Sequence, residues 1–308
     1  MSAYSMVTSP GPAVHRTPDR RWLRLAIVAG ALAWAGSIWA LAAAGTYDTV
    51  TPAFLPQALA QDLVNLVVAA PTLVVCAILA RRGSVRGLLV LLGVLGYTVY
   101  NYVIYVFSIP FGPLYPLWTA VLGLSLFAVI GGLRSLPAAS IAARFRSERA
   151  ARVAAWVLLV VAGLFALIWL REDVPALLAG TPQGSSVDLD LPTNPVHTLD
   201  YIFFLPSAFL VGTGLLHRRP FAYPATAAFL VFMIFTCVPI VVTPFVQAAI
   251  GQTPAWSLLG PIGALALVML GSVLWLLATV TGKSEPADAA TVRLGEGDGV
   301  AVEGEDKI

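Results

Sequence analysis

Two titratable side chains stand where an apolar run begins. The stretch PTNPVHTLD, residues 192–200, contains His197 and Asp200 and leads directly into YIFFLPSAFLVGTGLL. Residues three apart on a helix share a face, so the two side chains are predicted to point together. An imidazole beside a carboxylate can pass protons or help to hold a cation. This pair is therefore the first candidate for chemistry.

A second polar pair begins another apolar run. Asp62 and Asn65 are also three residues apart, so they too are predicted to share a helix face. Ionisable groups in hydrocarbon cost several kcal/mol unless they are paired or hydrated, so their presence often marks function. Arg171 is the one base in the segment 171–200, and we expect it to neutralise one of these carboxylates.

A third run adds polar groups. In GYTVYNYVIYVF, the side chains of Tyr97, Tyr100 and Asn101 are predicted to lie on one helical face. The functional interpretation is a polar pocket that faces outward and takes a small solute or an ion. Its candidate residues are Asp200, His197, Asp62, Asn65, Asn101, Tyr97, Tyr100 and Arg171.

A purely structural interpretation competes with this pocket. Asn194 and Pro195 form a standard helix start, with Asn as the N-cap and Pro at the first helical position. His197 would then lie in the first turn, at the water, and an acid in an early turn is favoured by the helix dipole. Tyrosines near a membrane surface also form aromatic belts. Both interpretations stay open for these residues.

The composition indicates that helices in a membrane position these groups. The chain is 58% hydrophobic and only 11% charged, whereas soluble domains are near one-quarter charged. A helix needs about 20 mostly apolar residues to cross a bilayer. The sequence therefore predicts an all-α membrane protein with eight transmembrane helices, in the runs 23–44, 63–80, 88–107, 114–133, 153–170, 201–216, 226–248 and 257–280.

Charged residues alternate between the connections. Basic residues crowd the N-terminal tail and the connections after the second, fourth and sixth runs, whereas the connection 45–62 has no base. By the positive-inside rule, the basic side is cytoplasmic. The sequence therefore predicts a multi-pass protein with both termini in the cytoplasm. The polar pairs then lie toward the outer face.

Aligning Pro71 with Pro206 reveals a weak internal repeat, because DLVNLVVAAP then lies over HTLDYIFFLP. Each half holds four spans, and equivalent spans run in the same direction. Some transporters are built from such parallel repeats and have their sites at the repeat interface. The polar positions that the alignment pairs are Asp62 with His197 and Asn65 with Asp200.

Three regions are predicted along the chain. Residues 1–22 form a cytoplasmic N-terminal tail, and residues 23–280 form the membrane domain, with repeat halves of about 23–133 and 153–280. Residues 281–308 are acidic and lack apolar periodicity, which predicts a disordered cytoplasmic tail. The first apolar run is longer than the core of a signal peptide, so we expect it to be retained.

No motif in the sequence indicates a cofactor or a metal. The chain has no glycine-rich phosphate loop, no HExxH and no GxSxG. Both cysteines, Cys76 and Cys237, fall in apolar runs and are interpreted as small core residues. The absence of a recognised nucleophile or metal set favours a function other than catalysis. No basic stripe with aromatics indicates nucleic acid as a partner.

Several stretches together resemble an uncharacterised group of bacterial integral membrane proteins. They are PTNPVHTLD, DLVNLVVAAP, ARRGSVRG and YNYVIYVFSIPFGPLY, and the resemblance covers most of the chain from Gln61 to about Leu216. It implies a location in the bacterial inner membrane. It implies no activity, and no functional residue follows from it.

Three functions remain open at this point. The best supported is a transporter or permease for a small solute or ion, with the outward polar pocket as its site. One alternative is a membrane-embedded enzyme or assembly factor that acts on the outer face, with His197 as acid and base oriented by Asp200. The other is a structural or sensory partner whose C-terminal tail contacts a cytoplasmic protein. The bilayer is a partner in each case.

Overall fold

Eight long helices form the structure, which is a computed structural model that describes residues 21–281. All eight are long and apolar enough to cross a membrane, as the sequence predicted. The eight helices are consistent with an integral membrane protein. We label the helices α1 to α8: Trp22–Ala42, Leu55–Arg81, Val85–Ser108, Tyr115–Ser135, Glu148–Ala179, Pro195–Leu216, Ala222–Ala249 and Trp256–Ala278.

The two shortest predicted runs extend at their polar ends. Helix α2 begins at Leu55 and α6 at Pro195, so that Asp62 and Asp200 lie inside helices. Helix α5 departs further from expectation. It continues from Trp169 to Ala179 and ends at Gly180, whose φ of 63° stops the helix. The first residues of the predicted outer connection are therefore helical.

The connections contain little regular structure. Two short helices, Ala138–Ala142 and Gly184–Asp188, precede α5 and α6. Within residues 21–281 there is no strand, only one isolated bridge between Phe145 and Val280. The two tails predicted from the sequence lie outside the described residues, except for their innermost positions.

The same neighbour pattern recurs in each half of the chain. In the first half, α1 packs against α2 and α4, and α3 packs against the same two helices. In the second half, α5 packs against α6 and α8, and α7 packs against α6 and α8. The halves meet mainly where α7 contacts α3 and α2. Helices α3 and α7, which hold equivalent places in the two halves, thus lie together at the centre.

Two π-helical segments interrupt α2 and α6. They span Asn65–Ala69 and Asp200–Phe204, and each ends two residues before one of the aligned prolines. A proline cannot donate to the preceding turn, and a π turn is one way in which a helix accommodates this. Each segment starts at the polar residue that the sequence alignment paired. The two polar residues therefore lie at the same kind of widened turn.

Candidate functional site

Asp200 lies between the two halves of the protein. Its side chain is 6% exposed and is held by two neutral donors. The hydroxyl of Tyr100, on α3, donates to Oδ1 at 3.0 Å. The indole nitrogen of Trp169, on α5, donates to Oδ2 at 2.8 Å. Asp200 therefore has hydrogen bonds from both halves but forms no ion pair within residues 21–281.

Asp62 has a similar environment in the first half. It is 1% exposed, Ser37 Oγ donates to Oδ1 at 2.8 Å, and the hydroxyl of Tyr47 donates to Oδ2. Tyr47 lies in the connection between α1 and α2. Burial, together with the neighbouring carboxyl, raises the pKa of the Tyr47 phenol above its usual value, so it stays a donor. This carboxylate, too, is held by neutral donors, which here are both hydroxyl groups.

His197 has a partner that the sequence did not predict. Its Nδ1 lies 2.9 Å from Oδ1 of Asp173 and 3.2 Å from Oδ2, whereas it makes no hydrogen bond to Asp200. The hydrogen-bond partner of His197 is therefore Asp173 and not Asp200. The physical reason is the length of α5: because this helix continues past Trp169, it carries Asp173 alongside the start of α6.

The surroundings of His197 also correct its predicted exposure. Asn194 caps the helix as expected, since its Oδ1 accepts from the backbone nitrogen of Val196 at 2.9 Å and of His197 at 3.4 Å. The imidazole nevertheless does not lie at the water. It is 2% exposed, and the ring of Trp169 covers it at a centroid distance of 4.1 Å.

Asp173 connects several elements at this end of α5. Besides His197, it accepts from the hydroxyl of Tyr201 at 2.8 Å and from Nε2 of Gln183 at 2.6 Å. Gln183 in turn accepts from the backbone nitrogen of Asn194 at 2.9 Å. Asp173 thus fastens the connection before α6 to both helices that flank it.

Asn65 belongs to a different network from Asp62. Its Oδ1 accepts from the hydroxyl of Tyr97 at 3.3 Å, while its Nδ2 has no hydrogen-bond partner among the described residues. Gln61, which sequence reasoning missed, hydrogen-bonds to Tyr97 and lies 3.4 Å from Asn65. The available signal was a second amide one turn before Asn65 on the same face. Asp62 and Asn65, which the sequence predicts to act together, therefore bind different partners: Asp62 binds Ser37 and Tyr47, and Asn65 binds Tyr97.

A cavity of about 130 Å³ lies between the halves. Helices α2, α3 and α7 and the start of α6 surround it, and Asn101 lies on its wall with an Nδ2 that has no partner among the described residues. Phe54, Leu189 and Pro195 place it toward the end of the bundle that carries the base-poor connections. Its polar lining includes Gln57, Gln61, Tyr97, Tyr100, Asn101 and Thr236.

Two reciprocal ring contacts join α3 and α7 beside this cavity. Tyr97 packs against Phe235 at a centroid distance of 5.6 Å, and Tyr100 packs against Phe232 at 5.5 Å. When Pro71 is aligned with Pro206, Phe232 is the equivalent of Tyr97, and Phe235 is the equivalent of Tyr100. Each tyrosine thus contacts the phenylalanine that the alignment pairs with the other tyrosine.

A pair of tryptophans follows the same alignment. Trp34 on α1 donates its indole hydrogen to the carbonyl of Leu66, inside the π segment of α2, at 3.1 Å. Its equivalent, Trp169 on α5, donates to Asp200 at the start of the other π segment. In each half, an indole on the first helix thus donates a hydrogen bond to the π segment of the second helix.

The structure brings together only part of the predicted set. Tyr97, Tyr100 and Asn101 line the cavity directly, and Asn65 and Asp200 each bind one of its tyrosines. Asp62 and His197 lie in separate networks. Arg171 is exposed and forms no ion pair with the described residues, so the prediction that it neutralises a carboxylate is wrong.

No metal centre is formed within residues 21–281, where no group of three or more His, Cys, Asp or Glu side chains is placed to hold an ion. Asp173 approaches Nδ1 of His197, while Glu172 lies 4.0 Å from Nε2, on the opposite side of the ring. The two carboxylates are therefore arranged around the imidazole and do not converge on one point.

Comparisons with protein-family models, with curated proteins and with solved structures find no significant match to this chain. The resemblance to a bacterial group therefore stays a prediction, and the function has to be argued from the geometry of the site.

Proposed function

We propose that this membrane protein transports a small polar solute, with the cavity between the halves as the solute site and Asp200 as a proton-binding carboxylate. The observation that carries the proposal is the position of Asp200. Asp200 is buried and accepts a hydrogen bond from Tyr100, which lines the cavity. Among the described residues, its only hydrogen-bond donors are the neutral side chains of Tyr100 and Trp169.

The energetics of a buried carboxylate support this role. Removing a charge from water costs several kcal/mol, and a basic partner normally offsets part of that cost. Asp200 forms no ion pair in the described part of the chain, and the imidazole of His197 is hydrogen-bonded to Asp173 instead. Binding a proton removes the cost, and hydration of the cavity restores the charge. A change in the water content of the cavity would thus be linked to proton binding at Asp200.

The repeated architecture supports transport rather than a static role. Transporters with parallel repeats carry their sites at the interface between the repeats, where one half can move against the other. Here the neighbour pattern, the two π segments and the reciprocal ring contacts follow one alignment of the two halves. We propose a four-plus-four parallel repeat with its axis between α3 and α7.

The orientation completes the proposal. By the positive-inside rule, both termini are cytoplasmic, and the cavity lies toward the outer side of a bacterial plasma membrane. A solute would therefore enter from outside, past the connections that precede α2 and α6. The partners are the bilayer and the small solute.

Proton flux into proteoliposomes tests the proposal. Purified full-length protein is reconstituted with an internal pH dye, and glycerol, urea, lactate and ethanolammonium are added in turn as probes. We expect proton entry with at least one probe in the wild type and its loss in Asp200→Asn. Asp190→Asn is the matched control, because Asp190 is exposed and has a positive φ that asparagine tolerates.

Two results would contradict the proposed transport function. One is the absence of proton entry with all four probes in the wild type. The other is equal proton entry in the wild type and in Asp200→Asn, which would show that the carboxylate has no part in coupling.

A further inference from the structure

The wall of the cavity carries no charged side chain among the described residues. Its polar groups are amides, phenols and threonine hydroxyls. The carboxylate of Asp200 lies behind Tyr100 and accepts a hydrogen bond from that phenol. A charged solute would lose its hydration on entry and meet no opposite charge on the wall, which is strongly unfavourable. The lining thus selects against ions and favours uncharged molecules.

The size of the cavity limits the solute further. A dry protein cavity of about 150 Å³ is large enough to bind benzene. The cavity here has about 130 Å³. It therefore admits molecules of up to about six non-hydrogen atoms, by comparison with that case.

Asn101 indicates what the solute must offer. Its side chain lies on the cavity wall and is 4% exposed, and its Nδ2 has no hydrogen-bond partner within residues 21–281. Buried polar groups in proteins are almost always hydrogen-bonded, so an orphan donor at a cavity indicates a missing acceptor. Nδ2 is closed off from the cavity in this conformation, so a solute oxygen would bind it after the amide rotates about its terminal torsion.

The phenol oxygens of Tyr97 and Tyr100 decide which hydrogens of a solute can be bound at the wall. Each phenol directs its hydrogen away from the cavity, Tyr97 to Asn65 and Tyr100 to Asp200. The Tyr97 oxygen already accepts a hydrogen bond from Nε2 of Gln61, whereas the Tyr100 oxygen accepts from no described residue, so a solute hydroxyl or amide hydrogen has a partner at Tyr100. The wall thus offers the Asn101 amide and one free phenol acceptor within one small space.

We infer that the cavity binds an uncharged, acceptor-bearing polar molecule of the size of a small polyol or amide, with Asn101 as a specificity-determining donor. This inference rests on the proposed function, because it names the class of solute for the same site. It adds that charge on the solute prevents binding.

Saturation-transfer NMR on the full chain in detergent micelles tests the inference. The probes are two uncharged molecules, glycerol and urea, and two charged ones of similar size, lactate and ethanolammonium. We expect transfer to glycerol or urea and none to lactate or ethanolammonium. Transfer to a charged probe equal to that of the uncharged ones, or to none of the four, would overturn the inference. This comparison uses the wild-type protein and does not depend on the folding of a variant.

Asn101→Leu tests the assigned donor, because leucine keeps the volume and removes the amide. We expect transfer to the uncharged probe to fall roughly fivefold or more, as for loss of one hydrogen bond. Ser125→Ala is the matched control, since Ser125 is also buried with an unpartnered hydroxyl but does not line the cavity. Unchanged transfer in Asn101→Leu would remove Asn101 from the site.

The two proposals fail in different ways. Proton entry driven by lactate or ethanolammonium, with loss in Asp200→Asn, would support coupled transport and contradict the uncharged solute. Transfer to glycerol or urea without proton entry for any probe would support the binding site and contradict coupled transport.

Discussion

The hydroxyl of Tyr100 donates a hydrogen bond to Oδ1 of Asp200 at 3.0 Å and thereby links the two halves of the protein. Tyr100 belongs to α3, in the first half, and Asp200 to α6, in the second. At the position equivalent to Tyr100, α7 carries Phe235, which cannot return the bond. The first half binds its own Asn65 through Tyr97. Helix α3 therefore supplies the hydroxyl for both polar positions.

Removing the Tyr100 hydroxyl should destabilise the protein measurably. In Tyr100→Phe the ring contact with Phe232 remains, but Asp200 loses one of its two donors. Leaving a buried carboxyl group partly unsatisfied costs about 1–3 kcal/mol. We expect a lower midpoint of thermal unfolding in detergent for Tyr100→Phe than for the wild type.

Tyr115→Phe is the control for this comparison. Its hydroxyl forms no hydrogen bond with the described residues, although its ring packs against Phe111. The midpoint should stay within the error of the wild-type value. Equal midpoints for the wild type and Tyr100→Phe would show that the hydrogen bond between the halves contributes nothing to stability.

His197 and Asp173 should behave as a coupled pair. In a double-mutant cycle with His197→Ala and Asp173→Asn, we expect a coupling free energy within the range of about 0.5–3 kcal/mol found for contacting residues. The cycle of His197→Ala with Asp200→Asn should give a smaller coupling, because these two side chains share no hydrogen bond. Thermal unfolding in detergent measures both cycles. A larger coupling to Asp200 would favour the pairing predicted from sequence spacing.

The fold was predictable because membrane-spanning helices are a local property of the sequence. An apolar run of about 20 residues is visible without knowledge of any contact. The cap at Asn194 was predictable for the same reason, since it involves only its own helix start. The paired polar positions were also visible, because the repeat alignment used prolines and polar residues in one order.

The partners of the polar residues were not predictable from sequence. The apolar run 153–170 predicts a span that ends before Asp173, yet α5 continues through this residue, which then meets His197. Trp169 contacts both His197 and Asp200, but its place near the end of the apolar run 153–170 does not indicate these partners. Spacing along one helix predicts which side chains share a face. It does not predict which neighbouring helix supplies their partners.

The contact between α3 and α7 should not tolerate a side chain at Gly93. A Cβ placed there would lie 2.5 Å from the carbonyl oxygen of Ala228 and 2.6 Å from Cβ of Val231. Because a backbone atom cannot move aside as a flexible side chain does, Gly93→Ala should separate the helices. Overpacking of this kind typically costs about 1–3 kcal/mol. We expect a lower midpoint of thermal unfolding and a loss of Asp200-dependent proton flux.

Gly123→Ala provides the matched control for that change. Gly123 also lies in a helix, α4, but a Cβ there meets nothing within 4 Å. Alanine is favoured over glycine in helices by about 0.5–1 kcal/mol, so stability should stay the same or rise. Equal behaviour of the two alanine variants would contradict the close approach of α3 and α7.

Cysteine accessibility in bacterial cells tests the proposed orientation. In a background that lacks Cys76 and Cys237, Thr181→Cys introduces a thiol after α5, and Ala143→Cys introduces one between α4 and α5; both positions are exposed. Because arginines surround Ala143 and not Thr181, the positive-inside rule places Ala143 in the cytoplasm. We expect an impermeant maleimide to label Thr181→Cys in intact cells and Ala143→Cys only after permeabilisation. The reverse pattern would place the cavity toward the cytoplasm.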